Sequence, residues 1–205
     1  MWINRLGWRT DRSFRLGAMP RRPAPDIRER ILQTATRLFS GHGVHAIGLQ
    51  QIIDESGCGK NVLYREFSGK DALVLAVLLR YCEEWERAAD TLLGDPGERL
   101  VELVRMSVNR AVIPGNRGCL LRSSFAEFPD PAHPVHRLAV RRHNELRARL
   151  RELAGAAGAK DPGRLADRLL LIIDGVQVNG PVLGPGGAVT GAEEFARDTI
   201  AAALS

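Results

Sequence analysis

From residue 26 onward the apolar positions recur at helical spacing. Ile27, Ile31, Ala35, Leu38 and Phe39 follow one another at steps of four, four, three and one, the buried stripe of an amphipathic helix. Asp26 is placed to cap it, and Gly41 and Gly43 end it. A second short helix is expected over 49–56, then a tight turn at Gly57-Cys58-Gly59 and a third short helix from 60 to about 67. Ser68 and Gly69 break the chain before a long helix, 70–93, that turns Leu73, Val77, Tyr81 and Trp85 or nearby positions inward. At 1.5 Å per residue it is a rod of about 36 Å. Such a rod leaves a three-helix head and enters whatever follows.

The remainder reads as helix throughout. Gly94-Asp95-Pro96-Gly97 is a turn, and the helix after it runs to about Val112 before Pro114-Gly115. A short helix over 119–128 ends in Pro129, Pro131 and Pro134. The next helix carries Val135, Leu138, Ala139 or Val140, Leu146, Leu150 and Leu153 as its stripe, flanked by six arginines. After a linker over 155–163, Leu165, Leu169, Ile172, Ile173 and Val176 form a helix that is apolar nearly all round from 169 to 173. A loop at 184–187 precedes a final helix, 192–204, with Phe195, Thr199, Ile200 and Ala203 on one face. No alternating strand pattern of useful length occurs. The expected fold class is all-α, with about nine helices.

The chemical signal concentrates in residues 52–70. Ile52, Ile53, Val62, Leu63 and Phe67 bury one face of the helix pair, leaving Lys60, Asn61, Tyr64 and Arg65 on the other. Two short helices joined by a glycine-containing turn, the second bearing donors, describe a helix-turn-helix.

Charge adds less than it first suggests. Of 205 residues 44% are hydrophobic, enough for a real core, and the net charge is +5. Residues 1–22 hold six arginines and one acid, Asp11, so they carry that whole excess. The basicity therefore belongs to the segment 1–24, expected to be a disordered leader. It reads as an arm along DNA, a solvated tail, or a stretch outside the natural protein, whose start would be Met19. No apolar run nears the roughly 18 residues that cross a bilayer, and no secretory signal is seen. Three scattered cysteines, Cys58, Cys82 and Cys119, argue for a reducing compartment. The expected location is cytoplasmic.

The stretches IRERILQTATRLFSGHGVHAI, IIDESG and KNVLYREFSGKDALVLAV resemble the TetR family of one-component transcriptional repressors. Ile31-Leu32, Ala35, Leu38-Phe39, Gly43, Ile52, Gly57, Leu63-Tyr64, Phe67, Lys70 and Leu73 carry the resemblance over residues 26–80. More weakly, the segment from Gly118-Cys119 to Glu127 and the step Ile173-Asp174-Gly175 are similar to the family's ligand-domain half. The resemblance implies a DNA-binding head over 25–70, a ligand-binding and dimerisation domain over 71–205, and a homodimer through the last two helices.

By position, Lys60, Asn61, Val62 and Arg65 would face the major groove, Tyr64 and Lys70 would hold phosphates, and Gln50 would lie near backbone or a base edge. The side-chain chemistry agrees. Asn61 can pair adenine, Lys60 can donate to guanine, and Val62 can pack on a thymine methyl. Tyr64, with Lys70 at a helix start, makes a phosphate clamp. A two-fold dimer would present recognition helices about 35 Å apart, hence a palindromic operator on double-stranded DNA. Departures are the glycines Gly48 and Gly59 where the family has hydroxyl caps, with Ile47 for threonine and Ile53 for alanine.

Other sites carry less. Cys58, in the turn, reads as a thiol switch or as a small buried residue where the family has valine. His42 with His45, and His133 with His136, lack the partner ligands of a metal site, and no catalytic set or phosphate loop is visible. No metal, cofactor or enzymatic activity is expected. For a pocket, Trp85, Met106, Asn109, Phe125, Phe128, Asp174, Gln177 and Asn179 suit a small, largely apolar effector. Ordinary core explains the aromatics and Met106 better than a pocket does, and Asp174, Gln177 and Asn179 fit a dimer seam as readily as a ligand. The expectation is a ligand-responsive repressor released from its operator by an effector. The alternative is a small-molecule-binding protein with a vestigial head.

Overall fold

The computed structural model describes residues 27–115 and 117–205. The leader and the Asp26 cap lie outside the described residues. Among those described, nine α-helices and one short 3-10 turn, with no strand, make up the fold. They are α1 Ile27–His42, α2 Leu49–Ser56, α3 Lys60–Glu66, α4 Lys70–Asp90, α5 Pro96–Ala111, α6 Leu120–Glu127, α7 Pro134–Ala156, α8 Pro162–Leu183 and α9 Ala192–Leu204.

Local chemistry sets most boundaries. Asp95 accepts the Glu98 amide at 3.0 Å with Pro96 in the first turn of α5, and Asp161 accepts the Arg164 amide at 2.9 Å ahead of Pro162. Both are side-chain caps with a proline at the tolerated first position. α4 stops at Asp90, short of the expected 93, because the Thr91 hydroxyl bonds the Ala88 carbonyl at 2.8 Å and closes the last turn. The rod is therefore about 32 Å long. The expected linker over 155–163 shrinks, since α7 runs to Ala156 and α8 starts at Pro162.

Two apolar clusters form along α4. The first joins Ile31, Leu38, Phe39, Ile52 and Leu63 to Leu73, Val77 and Leu78 of α4, and to Leu120, Phe128, Val135 and Leu138. The second collects Leu100, Leu103 and Val104 of α5, Leu150 of α7, Leu165, Leu169 and Ile173 of α8, and Ile200 of α9. Each fully buried leucine or isoleucine contributes about 1.5–3 kcal/mol. Arginines of α7 tie its flanks to α4, Arg142 to Glu86 at 2.6 Å and Arg149 to Asp90 at 2.7 Å.

On α7 the core position is Ala139, and Val140 faces out. α8, apolar nearly all round, is not buried all round: Leu171 is 71% exposed, and Phe195, expected on one face of α9 with Thr199, Ile200 and Ala203, is 61% exposed. Leu171, Phe195, Ile172, Val176, Asn179 and Thr199 line one groove of about 840 Å³ between α8 and α9. Leu171, Gly175, Val178 and Val182 follow at steps of four, three and four, so they form one stripe along α8.

Candidate nucleic-acid interface

The head is assembled by a small set of contacts across α1, α2 and α3. Gly57 takes φ +64 at the end of α2, the left-handed conformation that lets the chain reverse without a Cβ penalty. An Arg30 guanidinium on α1 donates to the Ser56 carbonyl at the same helix end. Arg37 pairs with Glu55. The Arg37 guanidinium, followed by the Gln51 amide, holds the Glu55 carboxyl below its ordinary range. These α1 arginines were not singled out from sequence. Their spacing of seven on one helix was the available signal.

Inside the motif Ile52 and Leu63 are fully buried, and Ile53, Cys58 and Phe67 nearly so. Cys58 is thus part of the wall between α2 and α3. The opposite face of α3 is open. Lys60, Asn61, Tyr64 and Arg65 are exposed, and Val62 is half-buried against the first cluster. Arg65 lies 3.6 Å from its neighbour Glu66. Gln50 is exposed on α2, with its amide donating to Asp54 at 2.8 Å. Neither Gly48 nor Gly59 supplies a side-chain cap, and both hold extended backbone ahead of their helices.

Lys70 begins α4 beside this face. Its ammonium donates to the His45 carbonyl at 3.5 Å, so the α4 start is tied to the α1–α2 connection. Burial pulls Lys70 below its ordinary value, opposed by the nearby Glu127 and Asp71 carboxylates. The seven residues expected to meet DNA are thus carried by α2, α3 and the first residue of α4.

The eight residues expected around an effector do not converge in one place. Phe128 is buried in the first cluster with His45 and His133 against its ring, and Phe125 is 43% exposed beside His136. Trp85 and Met106 are half-buried against the second cluster, while Asn109 and Asn179 are exposed. Asp174 pairs with Arg122 at 3.2 Å. Gln177 is buried and donates to the Ser107 carbonyl at 3.0 Å. Its Oε1 and the Ser124 hydroxyl are buried without a hydrogen-bond partner among the described residues.

A three-helix head that turns its donor-rich third helix to solvent, carried on a helical core, is a DNA-binding regulator of the helix-turn-helix class. Residues 31–77 match the family model described as bacterial regulatory proteins, tetR family. The chain is 53% identical over 118 residues to the HTH-type regulator YxaF of Bacillus subtilis, covering 54% of this chain and 62% of that one. It is 41% identical over 63 residues to the HTH-type transcriptional activator FasR of Mycolicibacterium smegmatis, 31% of this chain and 29% of that one. The matches thus span less than two thirds of either relative. Among solved structures, the TetR-family regulator SCO4454 of Streptomyces coelicolor is 31% identical and superposes with a TM-score of 0.76. That likeness covers 87% of this chain and 94% of that one. The chain belongs to the TetR family of transcriptional regulators. No helix among the described residues is long and apolar enough to cross a membrane.

Proposed function

We propose that the protein acts in the cytoplasm as a homodimeric repressor. In this reading the segment 25–70 reads a palindromic operator and 71–205 holds a small, largely apolar effector and the dimer contact. The observation that carries it is the open face of α3, where Lys60, Asn61, Tyr64 and Arg65 reach solvent around a buried Leu63. Lys60, Asn61, Val62 and Arg65 read base edges, Tyr64 and Lys70 hold phosphates, and Gln50 assists from α2.

The second copy docks on the α8–α9 face. The stripe of Leu171, Val178 and Val182 and the exposed Phe195 are the kind of contiguous apolar surface that a monomer rarely leaves open. Two-fold symmetry would place the same stripe on itself. Buried Gln177 meets the effector in this reading, while Trp85, Met106, Phe125, Phe128, Asn109, Asp174 and Asn179, spread over both clusters and the surface, are not grouped around it. The unpartnered Gln177 and Ser124 oxygens support a molecule with at least one donor, because buried polar groups need partners.

The test is selection of duplexes from a random-sequence pool by the full chain, with sedimentation of the free protein. Recovery of a two-fold symmetric sequence and a dimer in solution are expected. Recovery of no preferred sequence, or a monomer, would refute the reading.

A further inference from the structure

α6 is a short helix with a separate anchor at each end. At its start, Gly118 packs on α8: a Cβ there would stand 2.3 Å from the Gln177 carbonyl oxygen. Arg122, in the first turn, pairs with Asp174 of the same helix. At its other end, Glu127 leaves the core and meets the head. Its Oε1 accepts the Val44 amide at 2.9 Å, and its Oε2 accepts the His45 amide at 2.6 Å. Eight residues, about 12 Å of helix, thus join α8 to the connection between α1 and α2.

α6 alone gives no reason for this carboxylate. An acid in the last turn of a helix opposes the helix dipole, so Glu127 sits where its own element disfavours it. Two consecutive amides aimed at one carboxylate do account for it, since charge-assisted bonds to backbone N–H groups are among the stronger ones. The receiving loop is shaped to match. Gly43 has φ +87, and a Cβ on it would come to 3.0 Å from Glu127 Oε1. The junction is closed by Phe128, with His45 and His133 rings at 4.8 and 4.6 Å. His133 also lies 3.4 Å from Asp71 on α4. α2 begins four residues beyond His45, so any rotation about this loop is passed to α3.

We propose that Glu127 is a positioning residue for operator reading: through the Val44 and His45 amides it fixes the angle of the head on the core. It touches no base or phosphate. In a dimer that angle sets the separation of the two recognition helices, so Glu127 governs which half-site spacing the protein accepts. This inference rests on the two-headed reading proposed above.

The experiment compares wild type, Glu127→Ala and the isosteric Glu127→Gln. Gln turns an amide donor toward one of the two N–H groups. Each is titrated with the selected palindrome, with the same palindrome lengthened by one and by two central base pairs, and with a single half-site, at one salt concentration. Wild type should lose at least about tenfold in affinity on lengthening, because the two heads no longer meet successive grooves. Both variants should bind the half-site within about twofold of wild type yet lose less than about threefold on lengthening, as base and phosphate contacts are intact. Equal losses on every duplex, with the spacing ratio unchanged, would mean a merely structural role and overturn the inference. So would full retention of the ratio by both variants. A wild type indifferent to spacing would overturn the two-headed reading itself, and this inference with it.

Discussion

Gly118 lies against the carbonyl oxygen of Gln177, so close that a Cβ at position 118 would stand 2.3 Å from it. Pro181 follows Gln177 by four residues in α8 and has no N–H to give that carbonyl. The loop before α6 thus packs on the one turn of α8 whose helical ladder is interrupted. Gly118 also holds φ +96, where a Cβ is strained. Gly118→Ala should therefore destabilise by at least about 2 kcal/mol, since the obstructing atom is backbone and cannot swing aside. The expected loss in Tm is roughly 4–8 °C for a chain of this size. Gly186→Ala is the control. Its φ is −95 and nothing lies within 4 Å of the added carbon, so its midpoint in urea should match wild type.

Contacts to phosphate and to bases should separate in their response to salt and sequence. Lys70→Ala should weaken binding to all duplexes alike and flatten the slope of log K against log salt by about 0.9. Tyr64→Phe should also weaken binding across sequences, without the change in slope, because it removes a neutral donor. Asn61→Ala should instead relax one base position, with a loss of about 1–3 kcal/mol on the preferred duplex only. Anisotropy titrations at three salt concentrations, with single-base variants of the selected duplex, read all three outcomes.

The head was legible from sequence because its burial pattern is local. The α1 stripe from Ile31 to Phe39, the Gly57 turn and the buried Ile52, Leu63 and Phe67 follow from spacing alone and are buried or turned as expected, while Ile27 at the start of the stripe is half-buried. What escaped were bonds between residues far apart in the chain. Glu127 meets Val44 across 83 positions, and Gln177 meets Ser107 across 70. Neither leaves a periodic trace. The outer face of α8 escaped for a different reason. Leu171 looks like core by composition, and only the packing of α5 and α7 on the other side of the helix shows that it is left out. The expected effector residues, drawn from several helices, could not be grouped without knowing which helix faces meet.

Alkaline pH tests the interior of α4. Burial pushes the Cys82 thiol from its ordinary 9.0 up to about 12, with Arg142 pulling the other way and Cys119 adding to the rise. The folded state therefore holds this proton more tightly than the unfolded chain. By linkage, the stability this contributes is complete below pH 9 and is lost as pH rises toward about 12. The half-buried Tyr81 phenol, also raised by desolvation and then by Cys119, acts in the same direction. Tm should hold steady up to pH 9 and then fall. Cys82→Ala should fall less steeply over that window, even though its smaller side chain lowers Tm at neutral pH. At pH 8 the native protein should resist alkylation at Cys82, since the thiolate is the reactive form. Peptide mapping after iodoacetamide treatment checks it.

The stripe on α8 can be broken without touching the fold. Leu171 and Val182 are 71% and 76% exposed, so charged replacements there leave the monomer core intact, within about 0.5 kcal/mol. In the proposed dimer the same two side chains would face a second copy, and burying unpaired carboxylates there is costly. Leu171→Glu combined with Val182→Glu should thus shift sedimentation toward the monomer while Tm of the monomer changes little. Binding to the selected palindrome should fall by at least about tenfold, because two linked heads gain from effective concentration and single heads do not. Binding to a lone half-site should hold. Leu93→Glu provides the comparison: Leu93 is 87% exposed but stands beyond the end of α4, outside the stripe. If it dissociates the protein as readily as the double variant, the contact lies elsewhere. A double variant that stays dimeric would remove α8 from the interface altogether.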